Sequence, residues 1–183
     1  MLRHLMRSNE IEVASGGLTP IQWSALQYFS LANRPSRTVS GFAAYNATSK
    51  GTASQIVKGL VSKGFVRRLP AEDDGRSAEI VLTGEGLAKL EAFPATALPQ
   101  AIEELDPADR DALERTLGLL SGMLHRHSPR TRVGTCHDCA CLETCEGGRE
   151  GRYHCRLLAR EVNRQELGRL CVVHEPAGAD TGR

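Results

Sequence analysis

The stretch Thr38–Leu82, TVSGFAAYNATSKGTASQIVKGLVSKGFVRRLPAEDDGRSAEIVL, determines the fold of this 183-residue chain. Between Ser49 and Lys63 the apolar residues recur at helical spacing, which predicts a helix with one face on a core. These apolar residues are Ala53, Ile56, Val57, Leu60 and Val61. Upstream, Thr38 can cap a shorter helix, and Asn46–Ser49 supplies turn and capping residues. Two helices joined by so short a turn are typical of a helix-turn-helix.

A two-stranded hairpin is predicted after the second helix. Gly64 suits a helix C-terminus, Phe65–Leu69 reads as a strand, and Ala78–Leu82 alternates as a second strand. The intervening loop, Pro70–Ser77, carries an arginine that can reach a narrow minor groove. The predicted fold class is therefore mainly α with a small β-hairpin wing (α+β), a winged helix-turn-helix.

The polar face of the second helix carries short hydrogen-bonding side chains and positive charge. Such residues can contact phosphates and base edges when a helix enters the major groove. A solvated surface helix has the same composition, so this face alone leaves both interpretations open.

Five segments, in their order and spacing, closely resemble the MarR family of bacterial transcriptional regulators. They are Leu18–Trp23, Ser49–Gln55, Gly64–Arg68, Asp73–Arg76 and Leu82–Gly86. The resemblance covers about residues 15 to 127 and implies a homodimer that binds double-stranded DNA, with the helix near Ser49 in the major groove and Arg76 in the minor groove. The helix face and the resemblance together predict these DNA contacts: Thr38, Ser49, Lys50, Gly51, Thr52, Ser54, Gln55, Lys58, Arg67, Asp74 and Arg76.

The flanking segments predict further helices on both sides of the helix-turn-helix and its wing. Thr19 and Gln22 form a capping-box pattern ahead of one helix, Thr83 can cap another, and Asp106-Pro107 begins a third. This last helix carries a leucine stripe, Leu113, Leu117, Leu120 and Leu124. The family resemblance implies that the terminal helices interlock two subunits, and a two-fold dimer predicts a pseudo-palindromic operator with half-sites about 10 base pairs apart. Met1–Ala14 has weak helical periodicity and is shorter than the family's usual first helix.

Charge is distributed unevenly along the chain, although the net charge is only +1. From Arg34 to Arg76 there are eight Lys or Arg against three Asp or Glu, whereas from Ser77 to Arg115 there are three against nine. A basic segment therefore precedes an acidic one, and the basic segment is the one expected to meet DNA.

Length and composition predict a winged-helix domain with an appendage. We expect a DNA-binding and dimerisation domain at 1–127, a linker at 128–135, a cysteine-rich module at 136–176 and a disordered tail at 177–183. No apolar run approaches membrane-spanning length and no signal peptide is evident, so a cytoplasmic protein with no membrane partner is expected. No catalytic motif is apparent, so we do not expect an enzyme; a small-molecule effector is possible.

All six cysteines lie in the last 48 residues, which points to a metal or redox centre in a reducing cytosol. Cys136 and Cys139 form a two-thiolate hook, and Cys155 and Cys171 each follow after a gap of 15 residues. We also expect a helix through Arg156 to Arg169, since four arginines are spaced along that segment.

The tail further resembles a cysteine-rich extension of some MarR family members. Its matching features are Leu142, the pair His154-Cys155, and Cys171 ahead of His174-Glu175. This resemblance implies the metal ligands Cys136, Cys139, Cys155 and Cys171, with Cys141, Cys145 and His174 as substitutes or bystanders. Four thiolates suit either Zn²⁺ or an iron-sulfur cluster, and spacing does not distinguish them. Unligated thiols remain the alternative.

The resulting hypothesis is a homodimeric transcriptional regulator of MarR type whose operator binding responds to the metal or redox state of the tail. Loading or oxidation would change the packing of the tail against the terminal helices, and so the separation of the recognition helices. Two alternatives remain, a thiol-based redox protein and a protein-interaction winged helix with a structural zinc.

Overall fold

A computed structural model describes residues 17–70, 78–92, 97–127, 132–144 and 152–177, without side chains at 97 and 125–127. Several predictions lie outside these ranges. They concern the helix at Met1–Ala14, the wing residues Asp74 and Arg76, Cys145, and the tail after residue 177.

Within these ranges there are six α-helices and five short strands. The helices are α1 (Pro20–Leu31), α2 (Val39–Tyr45), α3 (Lys50–Ser62), α4 (Gly84–Glu91), α5 (Ala97–Glu103) and α6 (Pro107–His127). The strands are β1 (Val66–Pro70), β2 (Ala78–Leu82), β3 (Leu142–Thr144), β4 (Tyr153–Cys155) and β5 (Arg160–Val162). The fold is mainly helical with a small antiparallel hairpin, as the sequence predicts.

Local capping signals determine where several helices begin. The predicted capping box ahead of α1 is confirmed, since Thr19 accepts from the Gln22 N–H and the Gln22 side chain accepts from the Thr19 N–H. Thr38 caps α2 and Thr83 caps α4 through their side-chain oxygens, as predicted. Each cap satisfies an N–H that the first turn of a helix leaves without a partner.

The turn between α2 and α3 contains a residue in the left-handed region. Ala47 has φ +48°, and Ser49 then caps α3 by accepting from the Thr52 N–H at 3.1 Å. Ala53, Val57 and Leu60 of α3 are buried, as the helical spacing predicts. Val61 was expected on the same apolar face but is 37% exposed, because it lies at the margin of the buried stripe.

The hairpin β1–β2 pairs Val66 with Leu82 and Pro70 with Ala78. Gly64 ends the preceding helix with φ +76°, the conformation that a glycine C-cap supplies. Ile80 is fully buried and anchors the base of the hairpin against the winged-helix core. The order α2, turn, α3, β1, β2 is that of a winged helix-turn-helix.

One hydrophobic core holds the winged helix together. Trp23, Leu26 and Phe29 of α1 are buried there. Tyr28 and Phe42 complete the aromatic centre, with ring centroids 5.6 Å apart.

The last two helices, α5 and α6, each have a proline in the first turn. Pro99 lies in the first turn of α5, where the N–H that proline lacks would have no intrahelical partner. Asp106 caps α6 by accepting from the N–H groups of Ala108 and Asp109. Among the described residues, no helix is long and apolar enough to cross a membrane.

Residues 132–144 and 152–177 form a second unit, here called the cysteine module. Its strands β3, β4 and β5 make a three-stranded antiparallel sheet in that order. The expected helix through Arg156 to Arg169 is therefore wrong, because Ala159 adopts φ +48° in a turn and Arg160 then enters β5. Gly134 also pairs with Cys171, so the end of the predicted linker belongs to this module.

We expect Gly86→Ala to destabilise the fold by about 1 to 3 kcal/mol. A Cβ at residue 86 would collide with the Phe65 backbone carbonyl, which cannot move without disturbing the start of the hairpin. Denaturant unfolding measures the change. Gly84→Ala is the matched control in the same helix, because a Cβ there meets nothing within 4 Å, and its effect should stay within about 0.5 kcal/mol. Equal stability of the two variants would contradict the close approach of α4 to Phe65.

Candidate nucleic-acid interface and cysteine cavity

The predicted DNA-contacting residues of α3 lie mainly on its exposed face. Lys50, Gly51, Thr52, Gln55 and Lys58 are exposed, whereas Ser54 is half-buried. Burial of Val57 and Leu60 on the opposite side fixes the rotation of the helix. The structure therefore brings these side chains together on one polar, positively charged surface that has the chemistry for phosphate and base-edge contacts.

Three predicted contacts also have local structural roles. The Ser49 and Thr52 hydroxyl oxygens lie 2.9 Å apart while Ser49 caps the helix, so both groups are oriented at its N-terminus. Thr38 accepts from the Gly41 N–H at 2.9 Å and is only partly exposed. A side chain that already caps a helix can still meet DNA, but its removal would also weaken the helix.

The wing contributes one predicted contact within the described ranges. Arg67 is exposed on β1, and its neighbour Arg68 is exposed as well. Sequence reasoning omitted Arg68, although the adjacent basic pair was visible at the base of the hairpin. Asp74 and Arg76 lie outside the described residues, so their roles stay predictions.

The four cysteines expected to be metal ligands line one cavity. Cys136 and Cys139 come from the start of the cysteine module, Cys155 from the end of β4, and Cys171 from the bridge to Gly134. Cys141 also lines this cavity. Residues separated widely in sequence are thus brought to one place, although spacing alone linked only Cys136 with Cys139.

Burial and neighbouring thiols disfavour charge on two of the cavity cysteines, Cys136 and Cys141. Burial raises the pKa of Cys136 to about 11, with further contributions from Cys171, Cys139 and Cys155. Burial likewise raises the pKa of Cys141 to about 11, and the Glu175 carboxylate adds to that shift. Without a bound cation, both thiols are therefore protonated at neutral pH.

Cys141 and His174, which were expected to be substitute ligands or bystanders, have hydrogen-bonding partners outside the predicted ligand set. The Cys141 thiol donates to Glu175 Oε2 over 3.4 Å. The buried His174 ring lies against Gly134, and its Nε2 is 3.2 Å from Asp138 Oδ1. His174 does not line the cavity, so its position suits a structural role.

The cysteine module docks on the winged helix through backbone pairing. The Asn33 N–H donates to the Leu170 carbonyl at 2.8 Å, and the Leu170 N–H donates to the Leu31 carbonyl at 3.0 Å. Leu170 and Val172 pack against the winged-helix core, while Cys171 between them lines the cavity. This alternation is that of an extended strand with a different environment on each face.

Polar contacts extend the docking surface towards the wing. Glu166 lines the cavity, accepts from the Arg34 N–H at 3.3 Å and pairs with Arg160 at 3.5 Å. Arg34 in turn pairs with Glu79 of β2 at 3.3 Å, and Arg37 reaches the same carboxylate at 3.5 Å. The residues around the cysteine cavity are thereby linked to the base of the wing.

Sequence reasoning missed the winged-helix side of this site. Asn33 and Pro35 line the cavity together with the cysteines. No local sequence signal marks Asn33 and Pro35, because the contacts of this segment are with residues far along the chain. The Arg34 N–H and its acceptor Glu166, for example, are 132 positions apart. The tail was expected to pack against the terminal helices, whereas the contacts above join it to the end of α1 and to the 3-10 helix at Arg34–Ser36.

Gly134→Ala should displace Cys171 and destabilise the cysteine module. A Cβ at residue 134 would lie 2.5 Å from the buried His174 ring, and Gly134 exchanges two backbone hydrogen bonds with Cys171. Gly168→Ala is the control in the same module. A Cβ there would lie 3.5 Å from His137, which is an ordinary van der Waals contact. Amide hydrogen exchange should speed up at residues 170–172 in the first variant alone. Unchanged protection in Gly134→Ala would contradict this packing.

Comparison with known proteins supports the winged-helix interpretation. Residues 16–77 match the family model described as "MarR family". A MarR transcriptional regulator from Methanosarcina mazei has a similar fold, with a TM-score of 0.56 at 18% identity over 69% of this chain and 92% of that one. The S. aureus MepR-DNA complex gives a TM-score of 0.52 at 20% identity over 67% and 93%. A comparison with curated protein sequences gives no significant match.

The family match and the fold agree on the same part of the chain. Residues 16–77 contain α1, the helix-turn-helix and β1, whose geometry is described above. The winged-helix domain of this chain is therefore similar to the MarR family of transcriptional regulators, whose model matches residues 16–77.

Proposed function

We propose that this chain is a sequence-specific, DNA-binding transcriptional regulator of MarR type. The observation that carries the proposal is the exposed polar face of α3, which is held at the surface by the buried residues Val57 and Leu60. Lys50 and Lys58 supply positive charge for phosphates, and Gln55 supplies an amide for a base edge. The relative with DNA bound in its structure, S. aureus MepR, has the same fold.

The proposed partner in DNA binding is a second copy of this chain. Helix α6 exposes Leu117, Leu120 and Leu124 of the predicted stripe by 51%, 48% and 61%. Leu119 and Met123 of the same helix are also more than half exposed. A contiguous apolar surface of this kind is typical of an interface. A two-fold dimer would present two α3 helices to a pseudo-palindromic operator, with two chains for each duplex.

The proposal includes modulation of operator binding by a cysteine-ligated centre, either zinc or an iron-sulfur cluster. Its support is the segment Leu170–Val172, because Cys171 faces the cavity while its two neighbours pack on the winged-helix core. Any change in the position of Cys171 on loading would therefore act directly on the docking contacts. Glu166 and Arg34 offer a second route, from the cavity wall to Glu79 at the wing.

Substitutions on α3 test the DNA-binding proposal. We expect Lys58→Ala to weaken binding of operator and unrelated duplex alike by about tenfold, or about 1.4 kcal/mol, and to reduce the salt slope by about 1 because one phosphate contact is lost. Gln55→Ala should instead reduce the preference for the operator. Binding is measured by fluorescence anisotropy over a range of salt concentrations, with the operator selected from random duplexes.

Lys63→Ala is the matched control for the DNA-binding test. Lys63 carries the same charge at the C-cap of the same helix, where its Nζ donates to the Gly17 carbonyl at 3.0 Å. If its removal reduces affinity as much as Lys58→Ala does, the proposed face is wrong. If wild-type protein shows no salt-dependent DNA binding, the proposed function itself fails, and a winged helix that contacts protein would replace it.

Loosening the docking contacts should uncouple DNA binding from the state of the cysteines. Arg169 donates to the Ser30 carbonyl at 2.8 Å, and Ser36 Oγ accepts from the Val172 N–H at 3.2 Å. In the double variant Arg169→Ala/Ser36→Ala, we expect the ratio of operator affinities between loaded and metal-depleted protein to move towards one. Arg156→Ala is the control, since its exposed guanidinium belongs to the same module and pairs only loosely with Glu143 at 4.0 Å. A double variant that keeps the wild-type ratio would contradict this coupling.

A further inference from the structure

We propose that the cysteine module itself contacts DNA, and that its Arg164 binds a phosphate of the duplex held by the winged helix. This contact rests on the proposed DNA-binding function and extends it from α3 and the wing to the tail. The residue lies far outside residues 16–77, the part of the chain that matches the family model.

The turn that carries Arg164 adjoins two elements with predicted DNA contacts. It forms a 3-10 helix at Arg164–Glu166, and the Glu166 carboxylate accepts from the Arg34 N–H at 3.3 Å. Four residues, at most about 14 Å of chain, separate Arg34 from Thr38, which begins α2 and is itself a predicted contact. The Arg34 side chain pairs with Glu79 of the wing. The turn is therefore close to both the start of α2 and the base of the wing.

Positive charge is in excess where the module meets the wing. Four arginines lie there, Arg34, Arg37, Arg160 and Arg164. The two carboxylates among them, Glu79 and Glu166, have side chains only 12% and 13% exposed, because their ion pairs cover them. Arg164 is exposed, and among the residues that the structure describes it forms no ion pair. Its charge is therefore accessible to a phosphate.

The outer face of the module's sheet has the opposite character. Glu143, His154 and Glu161 are paired across β3, β4 and β5, so their side chains share one face. Both carboxylates are more than half exposed, and the arginines that they meet, Arg156 and Arg152, are 4.0 and 3.8 Å away. Exposed carboxylates repel phosphates, so this face is directed away from the duplex in the proposed complex.

The neighbours of Arg164 suit a nucleic-acid backbone. Asn163 and Gln165 are exposed, uncharged amides. The Asn163 side chain also accepts from the Glu166 N–H at 3.0 Å, so the turn is ordered before any ligand binds. Contacts to phosphates position a protein on DNA without reading the bases. Arg164 therefore adds affinity that is independent of base sequence.

Arg164→Ala tests this contact in the full chain. We expect binding of operator and of unrelated duplex to weaken alike by about tenfold, with a salt slope smaller by about 1 per chain, because one phosphate contact is lost. Arg164→Lys should restore most of both, since an ammonium group also binds phosphate. Fluorescence anisotropy over a range of salt concentrations measures affinity and slope together.

Arg156→Ala is the matched control, because it removes the same charge from the acidic side of the same module. Its affinity and salt slope should stay near those of the wild type. Equal effects of Arg156→Ala and Arg164→Ala would overturn the contact, and so would a loss of affinity in Arg164→Ala at an unchanged slope. Both results leave DNA binding through α3 intact. If the wild-type chain shows no salt-dependent DNA binding, the contact and the proposed function fail together.

Hydroxyl-radical footprinting of the operator complex locates the contact. We expect Arg164→Ala to expose backbone positions that the wild type protects and that Lys58→Ala leaves protected, because the two side chains belong to different units. A footprint of Arg164→Ala identical to that of the wild type would overturn the contact, and an acidic surface of a partner protein would then replace DNA as the ligand of this turn.

Discussion

The backbone pairing of Leu170 with Leu31 and Asn33 is the contact on which the relation between the two halves of this molecule depends. It fixes a short extended segment on the winged helix, with Leu170 and Val172 on the core and Cys171 on the cavity. Since side chains alternate along an extended segment, the cavity-facing residue cannot change sides without a shift of its neighbours. Burial of the two apolar side chains, at roughly 1.5 to 3 kcal/mol each when complete, stabilises this register.

Because of this docking, residues of both the cysteine module and the winged helix form the walls of the cysteine cavity. The module supplies its own small cluster, in which Val162 and Leu167 are buried beside Cys136. The winged helix supplies Pro35 and the docking surface. A unit this small buries little apolar surface, and a bound centre would add to its stability, because a ligand that binds only the folded state favours that state. Occupancy of the cavity would then stabilise the docked segment together with the module.

Sequence predicted the parts of the structure that local chemistry determines. The Thr19 and Thr83 caps, the buried face of α3 and the glycine at the end of that helix all depend on residues within a few positions of one another. The docking surface could not be predicted, because the pairing of residues 31–33 with 170 leaves no periodic or capping signal in either segment. The arginine spacing after residue 155 was misleading for a related reason: helical spacing of one charged residue type does not show that the intervening residues form a buried stripe.

The 3-10 helix at Arg34–Ser36 has little freedom to absorb a displacement of the docked segment. On one side Pro35 lines the cavity, and on the other the buried Tyr28 hydroxyl donates to the Ser36 carbonyl. Gly41 of α2 lies so close to that carbonyl and to the Tyr28 hydroxyl that a Cβ would not fit. Close-packed interiors transmit small shifts because no void is available to take them up. Under the proposed regulation, a movement that begins at Cys171 would therefore be passed to α2, the first helix of the helix-turn-helix, and from there to the proposed DNA-binding helix α3.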